Sequence, residues 1–148
     1  IGAKGANRFI VDQVRERMTY TETRGALLAR RAKWRQVRMI LIEAKANGDA
    51  LIDELRTILP GLIAFEPGSA SKDVRAELAA VDFEAGNVYL PDPKWSPWVS
   101  DYERELLEFP AGNHDDQVDA TTQILLRWSS TAITDPRREF GFLFRSAA

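Results

Sequence analysis

The run Val37-Arg38-Met39-Ile40-Leu41-Ile42 constrains this chain more than any other segment. It is strand-length, almost wholly apolar and closed by Glu43, so it reads as a buried β-strand. Helical patterns stand on both sides of it. Thr19-Tyr20-Thr21-Glu22 fits a capping box and predicts a helix to about Trp34. After Asn47-Gly48, the spacing of Leu51, Leu55, Ile58 and Leu59 predicts a second helix, stopped by Pro60-Gly61. Leu62–Phe65 and Val88–Leu90 read as further short strands, and Arg8–Val14 as an earlier one. Lys4–Asn7 reads as a tight turn, with Ile1-Gly2 ending the strand before it. Ser71 is placed to cap a helix through about Ala80, Ser96-Pro97 starts another, and the last strong helix runs from His114 to about Trp128. Strands alternating with helices give an α/β class with at least partly parallel pairing. The domain is expected over 1–130, and 131–148 as a C-terminal tail, either a docked strand or a linker.

Composition excludes several chemistries. The 148 residues suit one domain, and 45% apolar content suffices for a core. Without cysteine there is no disulfide framework, thiol nucleophile or Cys-bound zinc; with His114 as the one histidine there is no multi-histidine metal site. A bound metal must be held by carboxylates, which points to Mg²⁺ or Mn²⁺. No apolar run approaches membrane-span length, and the N-terminal residues lack signal-peptide features. A cytoplasmic setting is compatible with all of this.

Charge is unevenly divided. Residues 1–45 carry 11 Lys or Arg against 4 Asp or Glu, and residues 46–148 carry 9 against 18. The basic excess includes Arg24, Arg30, Arg31, Lys33, Arg35 and Arg38. Such a face holds a polyanion or is simply a solvated helix surface.

Two features carry chemistry. Glu43 stands where the buried strand ends, beside Lys45, a position that opens on solvent or on a site. In open α/β sheets ligands bind beyond the carboxyl ends of the strands. The second is Asn113-His114-Asp115-Asp116-Gln117-Val118-Asp119, with three Asp at a helix start. Helix dipoles favour acids there, yet three exceed what capping needs. Asp115 and Asp119 lie one turn apart, and a divalent cation would relieve their repulsion.

Taken in order, Glu43–Gly48, Ser71–Ala76, Phe83–Pro91, Phe109-Pro110 and Asn113–Ala120 resemble the C-terminal nuclease domain of the large terminase subunit of tailed bacteriophages. The resemblance runs from about residue 5 to 128, and its last block is the strongest. It implies a ribonuclease H-like fold, a mixed central sheet flanked by helices. It also implies a two-metal endonuclease that cuts concatemeric double-stranded DNA during genome packaging, in a bacterial host cell. Carried over, Glu43, Asp115 and Asp116 become the catalytic, metal-binding acids, with Asp119 a weaker ligand. Lys45, Lys72 and Arg75 become phosphate contacts, joined by Arg30 and Arg31 of the basic face. The implied partners are the terminase ATPase domain, the small terminase and the portal.

The resemblance also implies a catalytic Asp on a first strand. The sequence begins after that point, with Arg8–Val14 as the third strand, and Asp12 is not its substitute. The first strands are therefore expected to be missing. No phosphate-binding Gly-Lys-Ser or Gly-Lys-Thr loop occurs. Weak or absent cutting and self-association through an open sheet edge are expected of such a piece. The competing readings are a nuclease-dead DNA-binding or motor-docking module, and another ribonuclease H-like nuclease such as a resolvase or transposase.

Overall fold

The computed structural model describes residues 1–45 and 48–130, and the backbone of 141–144. Ala46, Asn47 and most of the tail, with Arg137, Arg138, Phe140 and Arg145, lie outside the described residues. The elements are β1 (Gly2–Lys4), β2 (Asn7–Phe9), α1 (Tyr20–Lys33), β3 (Met39–Glu43), α2 (Gly48–Leu55), β4 (Leu62–Phe65), α3 (Lys72–Glu84), β5 (Val88–Tyr89), α4 (Trp98–Glu108), α5 (Asp116–Ser130) and β6 (Gly141–Phe144).

Two three-stranded sheets result, β1-β2-β5 and β4-β3-β6. A tight turn at Gly5, with φ at 60°, joins β1 to antiparallel β2, and β5 adds to β2 in parallel. In the second sheet β3 is central and parallel to both neighbours, with Glu43 opposite Phe65 of β4 and Met39 opposite Gly141 of β6. β3 is thus paired on both sides. Any self-association through a sheet edge falls to the outer strands.

Alternation along β3 sets the layers. Ile40 and Ile42 pack with Leu27 of α1 and with Leu51, Ile52 and Leu55 of α2. Leu41 turns the other way, onto Ile124 and Trp128 of α5. Helices therefore cover β3 on both faces, which is why its sequence is continuously apolar. At the far end of α5, buried Arg8 lies over the Trp128 ring at 5.4 Å and donates to the Gly5 carbonyl at 2.8 Å. Trp34, Trp98 and Trp128 pack at least partly into the protein, whereas Trp95 is exposed.

Several boundaries differ from the sequence expectation, each for a local reason. The strand expected over Arg8–Val14 stops at Phe9. Ile10 still donates to the Tyr89 carbonyl, but Asp12 is drawn to Arg30, Lys33 and Trp34, and Gln13 to Gln117. These side-chain bonds pull the chain off the sheet. Ile58 does not join the core but lies exposed beyond the end of α2, while Leu59 is buried. Helix α3 continues past Ala80 to Glu84, because no breaker intervenes before Gly86. Helix α5 starts at Asp116, leaving exposed His114 in the preceding loop.

Candidate functional site

The pleat of β3 places Met39, Leu41 and Glu43 on one face, the face that α5 covers. Glu43 is buried at the end of that strand, and its carboxylate meets the Lys45 ammonium at 3.0 Å. The chain turns back sharply there. A Cβ at Gly48 would lie 2.0 Å from the Glu43 carbonyl oxygen, so only glycine lets α2 begin against this strand end.

Helices α3 and α5 are clamped together in parallel. Lys72 donates to Asp115 at 2.6 Å, and one turn on Arg75 donates to Asp119 at 2.7 Å. Both helices therefore start at the same end of the layer. The loop 66–71 ties that end to the carboxyl end of β4, next to Glu43 in the ladder. Asp115 precedes the first turn of α5, its carbonyl accepting from the Asp119 N–H at 2.9 Å. Asp116 opens the helix and is half-buried.

Two expected site residues have other work. Arg75 is 7% exposed, not a surface cation, and its second contact is the Ala70 carbonyl at 2.6 Å. Asp119 is 3% exposed and faces Arg75, not solvent. A buried, bidentate-capable guanidinium against a buried carboxylate locks two helices together.

The sequence reading missed Glu105. This buried acid of α4 accepts from the Gln117 N–H at 2.6 Å, the Val118 N–H at 3.2 Å and the Gln117 amide at 2.5 Å. It caps the start of α5 from another helix, where the dipole favours a negative charge. The available signal was spacing: Glu105 follows buried Val99 and Tyr102 at steps of three. Tyr102 belongs to the same support, bonding Thr121 at 2.9 Å, with burial raising its phenol pKa above the ordinary value.

A cavity of about 160 Å³ opens beside Asp116, between Leu27 and Arg30 of α1, Ile10 and Asp12 after β2, and Ile40 of β3. The basic face of α1 is largely spent around it. Arg30 and Lys33 pair with Asp12, Arg24 pairs with Glu54, and Arg31 donates to the Arg35 carbonyl. Arg30 and Arg31 are thus partly buried and internally bonded. Burial pushes the Asp12 carboxyl up, but hydrogen bonds from Arg30, Lys33 and Trp34 outweigh it and hold the pKa at about 2. A depressed carboxylate pKa stabilises the fold above its unfolded value and loses that stabilisation as pH falls through the folded one. Asp12→Asn should cost about 1–2 kcal/mol at neutral pH, after allowing for solvent around Lys33. The gap to wild type should close between about pH 4 and pH 2. Urea unfolding of both proteins across that range checks this, and a constant gap would contradict it.

The donor chemistry at this end suits a hard cation, since Glu43, Asp115 and Asp116 offer carboxylate oxygens. It is not a ready-made cage: among the described residues no three of His, Asp and Glu converge on one point. Glu43 and Asp115 each carry a lysine partner instead.

Comparison with curated proteins and with solved structures finds no match. Residues 1–127, however, match the family described as the terminase RNaseH-like domain. That span takes in β1 to β5, all five helices but the end of α5, and Glu43, Asp115, Asp116 and Asp119. The mixed α/β layers and the ordered sequence blocks agree with it, and the chain belongs to the terminase RNaseH-like domain family.

Proposed function

We propose that this domain is the metal-dependent endonuclease of a terminase, cutting concatemeric double-stranded DNA during genome packaging. The observation that carries the reading is the shared end of the layers: Glu43 closes β3, and Asp115 and Asp116 stand at the start of α5, whose Ile124 and Trp128 pack on β3. Family membership supports it. Glu43, Asp115 and Asp116 would hold Mg²⁺ or Mn²⁺, two ions in an intact site. The chemistry such ions supply is activation of a water and stabilisation of the leaving oxygen at phosphorus. Asp119, the weaker ligand candidate, supports the site through Arg75. Lys45 and Lys72 neutralise their acids in the resting chain and reach phosphate when those acids turn to a cation. Partners in this reading are DNA, the terminase ATPase domain, the small terminase and the portal, in the cytoplasm of a bacterial host. No helix among the described residues is long and apolar enough to cross a membrane.

That no three acids converge among the described residues favours one alternative, a nuclease-dead DNA-binding or motor-docking module. Mn²⁺ titration with a supercoiled-plasmid assay separates the two. The nuclease reading expects Mn²⁺ binding that Glu43→Ala and Asp116→Ala abolish. It expects metal-dependent cutting of the plasmid that the same two variants lose. No binding and no cutting would leave the module reading in its place.

A further inference from the structure

Helix α3 is apolar on two opposite sides, which a helix packed on one side only does not need. Its inner side, with Ala79 and Arg75 buried, lies along α5. On its outer side Val74, Leu78 and Val81 are 45%, 60% and 63% exposed. They recur at steps of four and three, the spacing of a coiled-coil seam, and exposed Ala85 continues the step of four. Single exposed apolar residues are ordinary, but an aligned row of them marks a surface for a partner.

The charges beside the seam say what kind of partner. Lys72 and Arg75 are the basic residues of α3, and both are bonded to acids at the start of α5, Asp115 just before it and Asp119 in its first turn. Glu77 and Glu84 are exposed along one border of the seam, and Asp82 lies on the other. A second copy would set acid against acid whichever way the helices ran. We propose that this face of α3 docks an amphipathic helix of a partner protein, with an aliphatic seam bordered by Lys or Arg.

Three synthetic three-heptad peptides test this against the whole chain by fluorescence anisotropy: a leucine seam bordered by Lys, the same seam bordered by Glu, and a Lys-bordered peptide with its seam scrambled. The Lys-bordered seam should bind at least about tenfold more tightly than either other peptide. Glu77→Lys with Glu84→Lys should invert the preference for border charge. Leu78→Asp, or Val81→Asp, should weaken binding at least about tenfold with the melting temperature retained, since both side chains are exposed. Equal binding by the scrambled or Glu-bordered peptide, or indifference to both seam variants, would overturn the proposal. So would a photocrosslink from position 78 to residues 131–148 of the same chain, or to a second copy, in preference to the Lys-bordered peptide.

Discussion

Arg75→Met is expected to destabilise the domain by about 3–5 kcal/mol, because it strands the Asp119 carboxylate in a buried position without its cation. At this chain length that corresponds to a fall in melting temperature on the order of 10 °C. The cost is not the worth of the ion pair itself. Replacing both partners with apolar residues of similar volume removes the stranded charge, so Arg75→Met with Asp119→Leu should recover most of the loss. Urea unfolding of the two single variants and the double variant reads the coupling directly. Additive losses would mean that the guanidinium and the carboxylate do not depend on each other. The same clamp sets how far Lys72 and Asp115 stand from the sheet, so the loss should reach the candidate site before global unfolding.

Glu105→Ala is the second large effect, about 2–4 kcal/mol, since it leaves the Gln117 and Val118 N–H groups buried with no acceptor. Glu105→Gln should cost less, because one side-chain oxygen still accepts from the helix start. Hydrogen exchange supplies the discriminating measurement: the Gln117 and Val118 amides should lose protection ahead of the core amides of β3. If α5 frayed no faster in Glu105→Ala than in wild type, the carboxylate would not be what holds the helix start. Because Asp115 and Asp116 stand immediately before those amides, loosening this end would also disperse the candidate acids.

Elements whose signals are local were readable from the residues alone. The Thr19–Glu22 capping box, the Ser71 cap and the β4 run Leu62–Phe65 needed nothing from elsewhere in the chain. The β3 run was legible for a different reason: burial on both faces leaves no polar alternation to misread. What sequence could not supply was pairing across distance. Asp12 looked like a strand residue, and it becomes the acceptor for three groups of α1 and its cap. Arg75 looked like a surface phosphate contact, and it is turned inward by an acid 44 residues away. Glu105 drew no notice, because its partners Gln117 and Val118 lie on another helix. For the candidate site, the ordered blocks named the acids, but which cation each acid faces depends on how α3 and α5 dock. That docking is a tertiary property with no local signature.

The two ladders of β3 differ greatly in how soon the chain can make them. β4 follows β3 after one short helix, whereas β6 lies about 100 residues further on. Closing so long a loop is slow, and until it closes β3 presents bare amides and carbonyls on one side. An order of assembly is expected: the α1-β3-α2-β4 half condenses first from near neighbours in sequence, and the last strand seals it. During that interval the most apolar segment of the protein is also its most adhesive. The acids and arginines around it then act as solubilising guards of an unfinished sheet, before they serve any site.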